Sequence, residues 1–273
     1  MSINDDVYSR MLKHRALLTL YEKRLDTEID KILASHKIRL QRIVALSGTA
    51  NINALTRKLN TEIRLTYKNI YKDGISELNK LVGVSARFYK SIFARSLNNI
   101  YKAKGVKDTL KVNDLIIKSN GTYSQQLASI SILEQRKIKG IVKNGMTQNK
   151  AMINIAQDIG KSGLAASTVQ LKTLTRTAIT ETSNFVSNTT YKLNDDVVQG
   201  YQYVATLDSR TSLICGRLDG KVYSLDNKNA PQPPQHFNCR STTIPVIKST
   251  NQMFKIRNNI KTVPAATRFF LKN

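Results

Sequence analysis

The sequence predicts a mostly α protein in which long amphipathic N-terminal helices are followed by a compact domain with a short β-sheet, a small C-terminal α+β unit. Three observations predict it. The first of the five prolines is Pro231, so no ring interrupts a helix before that point. Apolar residues recur at three- and four-residue steps through much of the chain up to Leu193. Only near Gly200 does the pattern change to alternation of β-branched and aromatic residues.

The first element runs from about Asp6 to Leu46, where Leu18, Leu25, Ile29, Ile32, Leu40 and Ile43 mark an apolar face and Ser47-Gly48 ends the helix, with room for one break. His14 and His36 lie on it as isolated polar residues, expected at the surface. A second helix is expected over Ile52–Asp73 and a third from Ile75 towards Tyr101, separated by Asp73-Gly74 as a turn or a kink. Weak periodicity between Lys102 and Tyr123 reads as a linker. Helix resumes over Ser124–Val142 and stops at Asn144-Gly145. It restarts over Gln148–Ile159 with Thr147 as N-cap, and returns over Ala166–Leu193. Strands are expected at Gly200–Leu207, Gly220–Ser224 and Thr242–Ile247. These elements divide the chain into a helical N-terminal region (1–120), a second region (121–247) and a basic tail (248–273).

Charge bounds the partners. The 43 Lys and Arg outnumber the 19 Asp and Glu, for a net charge of +24. The excess is spread evenly: residues 1–120 hold 23 basic and 11 acidic side chains, leaving 20 and 8 for the rest. A field of that sign attracts nucleic acid or an acidic protein surface. Tyrosines next to lysines, as at Tyr67-Lys68 and Tyr71-Lys72, suit either base stacking or the boundary of an amphipathic helix. No apolar run is long enough to span a bilayer, and the N-terminus lacks the pattern of a signal peptide. The expectation is a protein made in the cytosol, with no membrane partner and with Cys215 and Cys239 as reduced thiols.

Possible chemistry is concentrated between residues 206 and 241, in TLDSRTSLIC (206–215), LDGKVY (218–223) and PPQHFNCR (233–240). Upstream, LTRTAITE (174–181) carries Arg176, Thr177 and Glu181 on a helix. In this order the elements resemble the phage Mu protein F-like family of minor head, or head-morphogenesis, proteins, over roughly residues 130–246. Under that resemblance the motif residues Arg176, Thr177, Glu181, Asp208, Arg210, Thr211, Asp219, Gly220, Pro234, Asn238 and Arg240 are structural and none is catalytic. The implied protein is a non-enzymatic structural component of a tailed-phage virion, inside the capsid near the portal vertex, acting in head assembly or genome ejection. Its implied partners are the portal protein, the major capsid or scaffold protein and packaged double-stranded DNA, with several copies per particle. The 1–120 helices would then dock on portal or capsid.

Relatives often carry two further thiols, which together with Cys215, His236 and Cys239 would complete a zinc site. Here Ser212 and Ser241 stand in those places. Two readings stay open. The thiols are buried apolar residues with His236 bonded to the loop backbone, or Cys215, His236 and Cys239 bind zinc with Asp208 or water as the fourth ligand. An enzyme acting on DNA or RNA through that Cys/His site is the alternative to the structural role.

Overall fold

Helix α1 (Ile3–Ala45) is a single unbroken element, with Asp5 and Asp6 in its first turn and Arg42 in its last complementing the helix dipole. The computed structural model describes residues 3–48, 51–96, 103–105, 112, 116–117, 121–162 and 164–248; most of the expected linker and the basic tail beyond Lys248 lie outside them. Helix α2 (Ile52–Ser96) merges the two segments expected on either side of Asp73-Gly74. Gly74 is there for packing and not for a turn. A Cβ on it would stand 2.7 Å from the Tyr123 hydroxyl.

Two-residue strands β1 (Ile116–Ile117) and β2 (Gly121–Thr122), too short to show alternation, pair antiparallel before α3 (Tyr123–Thr147). Thr122 and Gln125 form a capping box that satisfies two backbone N–H groups of the first turn. α3 passes through Gly145, where a Cβ would meet Ile155 Cγ1 at 2.5 Å, and ends beyond Thr147. Asn149, with φ 52°, then turns the chain, and Lys150 N–H bonds Gly145 C=O at 2.9 Å. Thr147 therefore closes α3 and does not cap the next helix, α4 (Met152–Ser162). Helix α5 (Ala165–Leu193) follows, then β3 (Val198–Val204), the short α6 (Leu213–Leu218), β4 (Val222–Ser224) and β5 (Thr242–Ile247). The three later strands form an antiparallel sheet in the order β4-β3-β5. Its β3–β4 pairing brings Tyr223 C=O within 2.3 Å of where a Cβ on Gly200 would be, so only glycine fits there. The fold is mostly α with a small C-terminal sheet, as the sequence predicts.

By internal contacts the chain forms two units, each from separated segments, whose boundaries fall within α1, α2 and α5. One unit comprises Met1–Leu20, Leu78–Asn113 and Arg176–Asn273. Its core stacks His14 on Phe88 and sets Tyr191 edge-on to Tyr89 and Phe93. Both strands of the β3–β5 pair are buried almost throughout, and the Tyr191 hydroxyl donates to Thr243 C=O at 3.0 Å. The Asn194 side chain bridges Lys104 N–H and C=O and also donates to Thr190 C=O. Asn4 Oδ1 accepts from Ile247 N–H, and Arg15 Nε donates to Arg240 C=O.

The other unit comprises Tyr21–Glu77 and Asp114–Thr175. Its buried stripes are Ile29, Leu33, Leu40 and Val44 on α1; Leu55, Leu59, Ile63 and Ile70 on α2; and Leu127, Ile130, Ile138 and Val142 on α3. Each such side chain contributes about 1.5–3 kcal/mol by leaving water. Polar residues interrupt these stripes at one level. Fully buried His36 donates from Nε2 to Glu134 Oε1 at 2.7 Å, and Tyr67 donates to Glu134 Oε2 at 2.7 Å. His36 Nδ1 meets Thr66 Oγ1 at 2.9 Å. The expectation that His14 and His36 are exposed is therefore corrected: both occupy core positions. Burial drives the His14 imidazole down to about 4, with the Arg15 charge adding a smaller push.

Candidate functional site

The three motif segments at 206–241 converge beside the sheet. Past the end of β3, Asp208 folds the chain into a tight turn, with its Oδ1 accepting from Arg210 N–H at 2.9 Å and Thr211 Oγ1 bonding both Asp208 N–H and Thr206 C=O. Ser212 then caps α6 by accepting from Cys215 N–H. This cap aims the Cys215 side chain inward against Tyr203, Ala205 and Cys239, and Leu207, Leu218 and Tyr223 pack around them. The turn at Asp219-Gly220 returns the chain to β4: Asp219 Oδ1 accepts from Ala205 N–H, and Gly220 has φ 77°.

The proline-rich segment approaches from the other side. Pro233 and Pro234 are buried, with a cis peptide between them. Asn238, with φ 59°, donates its N–H to Thr177 Oγ1 on α5, and Thr180 Oγ1 donates to Cys239 C=O. These two bonds tie the motif to α5. Arg176 and Glu181 are half-buried on the same helix, and Glu181 is not among the convergent donors.

Cys215 Sγ lies 3.6 Å from Cys239 Sγ, 3.2 Å from His236 Nε2 and 3.3 Å from the Tyr203 hydroxyl. His236 Nδ1 donates to Phe237 C=O at 2.7 Å, which leaves the Nε2 lone pair facing Cys215 and the Ser212 hydroxyl at 2.8 Å. The Cys239 thiol donating to Cys215 holds the Cys215 thiol down at about 4, and the same bond together with burial pushes Cys239 up.

Among the described residues, Cys215, His236 and Cys239 are the group whose donor atoms could hold a metal ion, all lying within 4.8 Å of one another. A soft ion such as zinc suits two thiolates and an imidazole whose other nitrogen is fixed by a carbonyl. Four protein ligands are not at hand. The Ser212 and Ser241 hydroxyls are weak donors, and both oxygens of Asp208 are taken by Arg240 in a bidentate pair at 2.5 Å each. That pair, with Arg240 first among its causes, holds the Asp208 carboxyl well below the usual carboxylate range.

Sequence reasoning missed two parts of this arrangement. Tyr203 reads only as a strand residue, although its hydroxyl touches Cys215, and Ser212 reads only as a replaced cysteine, although it both caps α6 and meets His236. The serine three residues before Cys215 was a capping signal available in the sequence.

The fold and site define the class of a mostly helical protein whose C-terminal sheet is closed by a cysteine–histidine and Asp–Arg cluster. Residues 135–244 match the family model of phage Mu protein F like protein, within the stretch that carries the resemblance. That family points to a structural protein of phage head morphogenesis. No curated protein and no solved structure matches the chain. No helix among the described residues is long and apolar enough to cross a membrane.

Proposed function

We propose that the protein is a structural minor head protein of a tailed bacteriophage, carried inside the capsid near the portal vertex, where it acts in head assembly, genome ejection or both. The match of residues 135–244 carries this reading. The engagement of the motif residues in tying the fold supports it: Asp208 holds Arg240, Asn238 and Cys239 hold α5, and Asp219 holds the end of β3. The net charge of +24 suits a place beside packaged DNA, contacted through phosphates without reading sequence. The portal protein and the major capsid or scaffold protein are the proposed protein partners, with several copies of the chain per particle.

The test is to purify heads from cells carrying or lacking the gene. The chain should co-purify with portal protein in mature particles, and its loss should reduce infectious heads. A stable free monomer that never enters particles would end the proposal.

The convergence of three metal-capable donors favours one second reading, an enzyme acting on DNA or RNA through a metal held by Cys215, His236 and Cys239. A bound zinc there would supply Lewis acidity. Nuclease turnover with divalent metals that His236→Ala abolishes would select this reading.

A further inference from the structure

We propose that Cys215 and Cys239 are a disulfide-forming pair, oxidised by hydrogen peroxide through Cys215 beside His236. The proposal goes beyond the head-protein reading and does not depend on it.

Three observations carry it. The two sulfurs are 3.6 Å apart, so the formation of a bond of about 2.0 Å requires an approach of only ~1.6 Å. Both side chains are buried, at 2% and 1% exposure, which keeps them from thiols of other molecules and favours reaction with each other. A cavity of about 10 Å³ opens beside the pair, lined by Ser212, Cys215, His236 and Ser241 among others, and Cys239 is not part of its wall. A space of that size holds at most one water, so hydrogen peroxide reaches Cys215 only when the wall parts slightly, and a bulky molecule is excluded. Access therefore makes Cys215 the thiol that reacts first and favours a small oxidant such as hydrogen peroxide over a bulky one.

The chemistry balances in two steps. Cys215 Sγ attacks one peroxide oxygen, the O–O bond breaks, and the departing hydroxide takes the thiol proton to leave as water, with His236 Nε2 at 3.2 Å as the relay. Cys215 is then a sulfenic acid. Cys239 Sγ attacks that sulfur, the S–S bond forms and the S–O bond breaks. The hydroxyl leaves as a second water with the Cys239 proton. Two thiols lose two electrons, and one peroxide becomes two waters.

The bridge spans 24 positions, joining α6 to the loop that carries His236. In the reduced protein these segments are joined at this point by the contacts of Ser212 Oγ and Cys215 Sγ with His236 Nε2. Closing a ring of this size restricts the unfolded chain, and the expected effect is a rise in Tm of about 5–10 °C.

The experiment uses the full chain, reduced and desalted into chelator. It is treated with equimolar hydrogen peroxide, the remaining thiols are alkylated in denaturant, and the digest is mapped by mass without reduction. A Cys215–Cys239 bridge within one chain is expected, removed by dithiothreitol and accompanied by the rise in Tm. Folding should slow an aromatic disulfide reagent roughly tenfold more than it slows peroxide, each rate taken relative to the denatured protein. Cys239→Ser should stop at a sulfenic acid on Cys215, trapped by dimedone added with denaturant after the peroxide; if that variant does not fold, the wild-type map decides. Bridges between chains, thiols that survive peroxide, or one zinc per chain that resists the chelator and protects both thiols would overturn the proposal. Equal slowing of both reagents by folding would overturn restricted access at Cys215.

Discussion

Replacing Glu134 by alanine should open the core of the second unit at one point. The carboxylate accepts from His36 Nε2 and from the Tyr67 hydroxyl, each at 2.7 Å, and all three side chains are buried. Removing it strands two buried donors, each costing about 1–3 kcal/mol, so a total loss of about 2–6 kcal/mol is expected. Burial, with the Glu134 charge second, already pushes the Tyr67 phenol far up, so this hydroxyl cannot escape by ionising.

Glu134→Gln tests the reasoning from the other side. Its amide oxygen can accept from Tyr67 while its NH₂ donates to His36 in the other tautomer, with Nδ1–H turned to Thr66. The expected loss is about 1 kcal/mol. In a chain of this size about 1 kcal/mol moves Tm by some 2–4 °C, so alanine should lower Tm by roughly 5–20 °C and glutamine by less than about 5 °C. Thermal melts by far-UV circular dichroism read the values, and amide exchange along α3 localises the effect. If the two variants were equally destabilised, or alanine were neutral, the network would not be holding these helices together.

Other outcomes follow from single contacts. The depressed Asp208 carboxyl stabilises the folded state above its unfolded pKa near 4, and that contribution is lost as pH falls below it; Asp208→Asn should flatten the fall of Tm between about pH 5 and 2. His14 has its pKa lowered from 6.5 to about 4, so the unfolded chain takes up the proton first. Stability should fall by about 3 kcal/mol as pH drops from 6.5 to 4, and His14→Leu should remove that dependence in urea titrations. Gly200→Ala should cost about 3 kcal/mol or more and loosen β4, because its Cβ meets the Tyr223 backbone oxygen, which cannot rotate away; exchange of the β4 amides measures it.

Much of the helical layout was legible because helix depends on local spacing. The chain has no proline before Pro231, and Leu55, Leu59, Ile63 and Ile70 repeat at helical steps whatever they face. Breaks were harder to read. Gly74 and Gly145 look like stops, yet both lie inside helices because Tyr123 and Ile155 pack where their side chains would be. A glycine tells a reader that space is short without saying whether a turn or a neighbour requires it. The six-residue α6 has too few positions to show a period.

The candidate site divides in the same way. Cys215, His236 and Cys239 could be grouped by residue type and spacing, whereas the Asp208–Arg240 pair spans 32 positions and needed the fold to appear. His36 and Glu134 are 98 apart, and each looks like surface when hydrophobicity is the only guide. Their positions in the stripes, between Leu33 and Leu40 and between Ile130 and Ile138, were the signal that buried polar partners existed.

The link from Asn4 to Ile247 has a consequence for the order in which the protein is made. Met1–Leu20 belong to a unit that also needs Arg176–Asn273, whereas the other unit has all its segments once residue 175 has emerged from the ribosome. Loop closure over such a separation delays folding, so the Tyr21–Glu77 and Asp114–Thr175 unit should mature during synthesis while Met1–Leu20 waits. On arrested nascent chains exposing residues up to 175, limited proteolysis should spare the helices around His36 and Glu134 and still cut near Arg10 and Lys13. That wait would put an unfinished amphipathic segment in reach of chaperones and of other copies of the same chain.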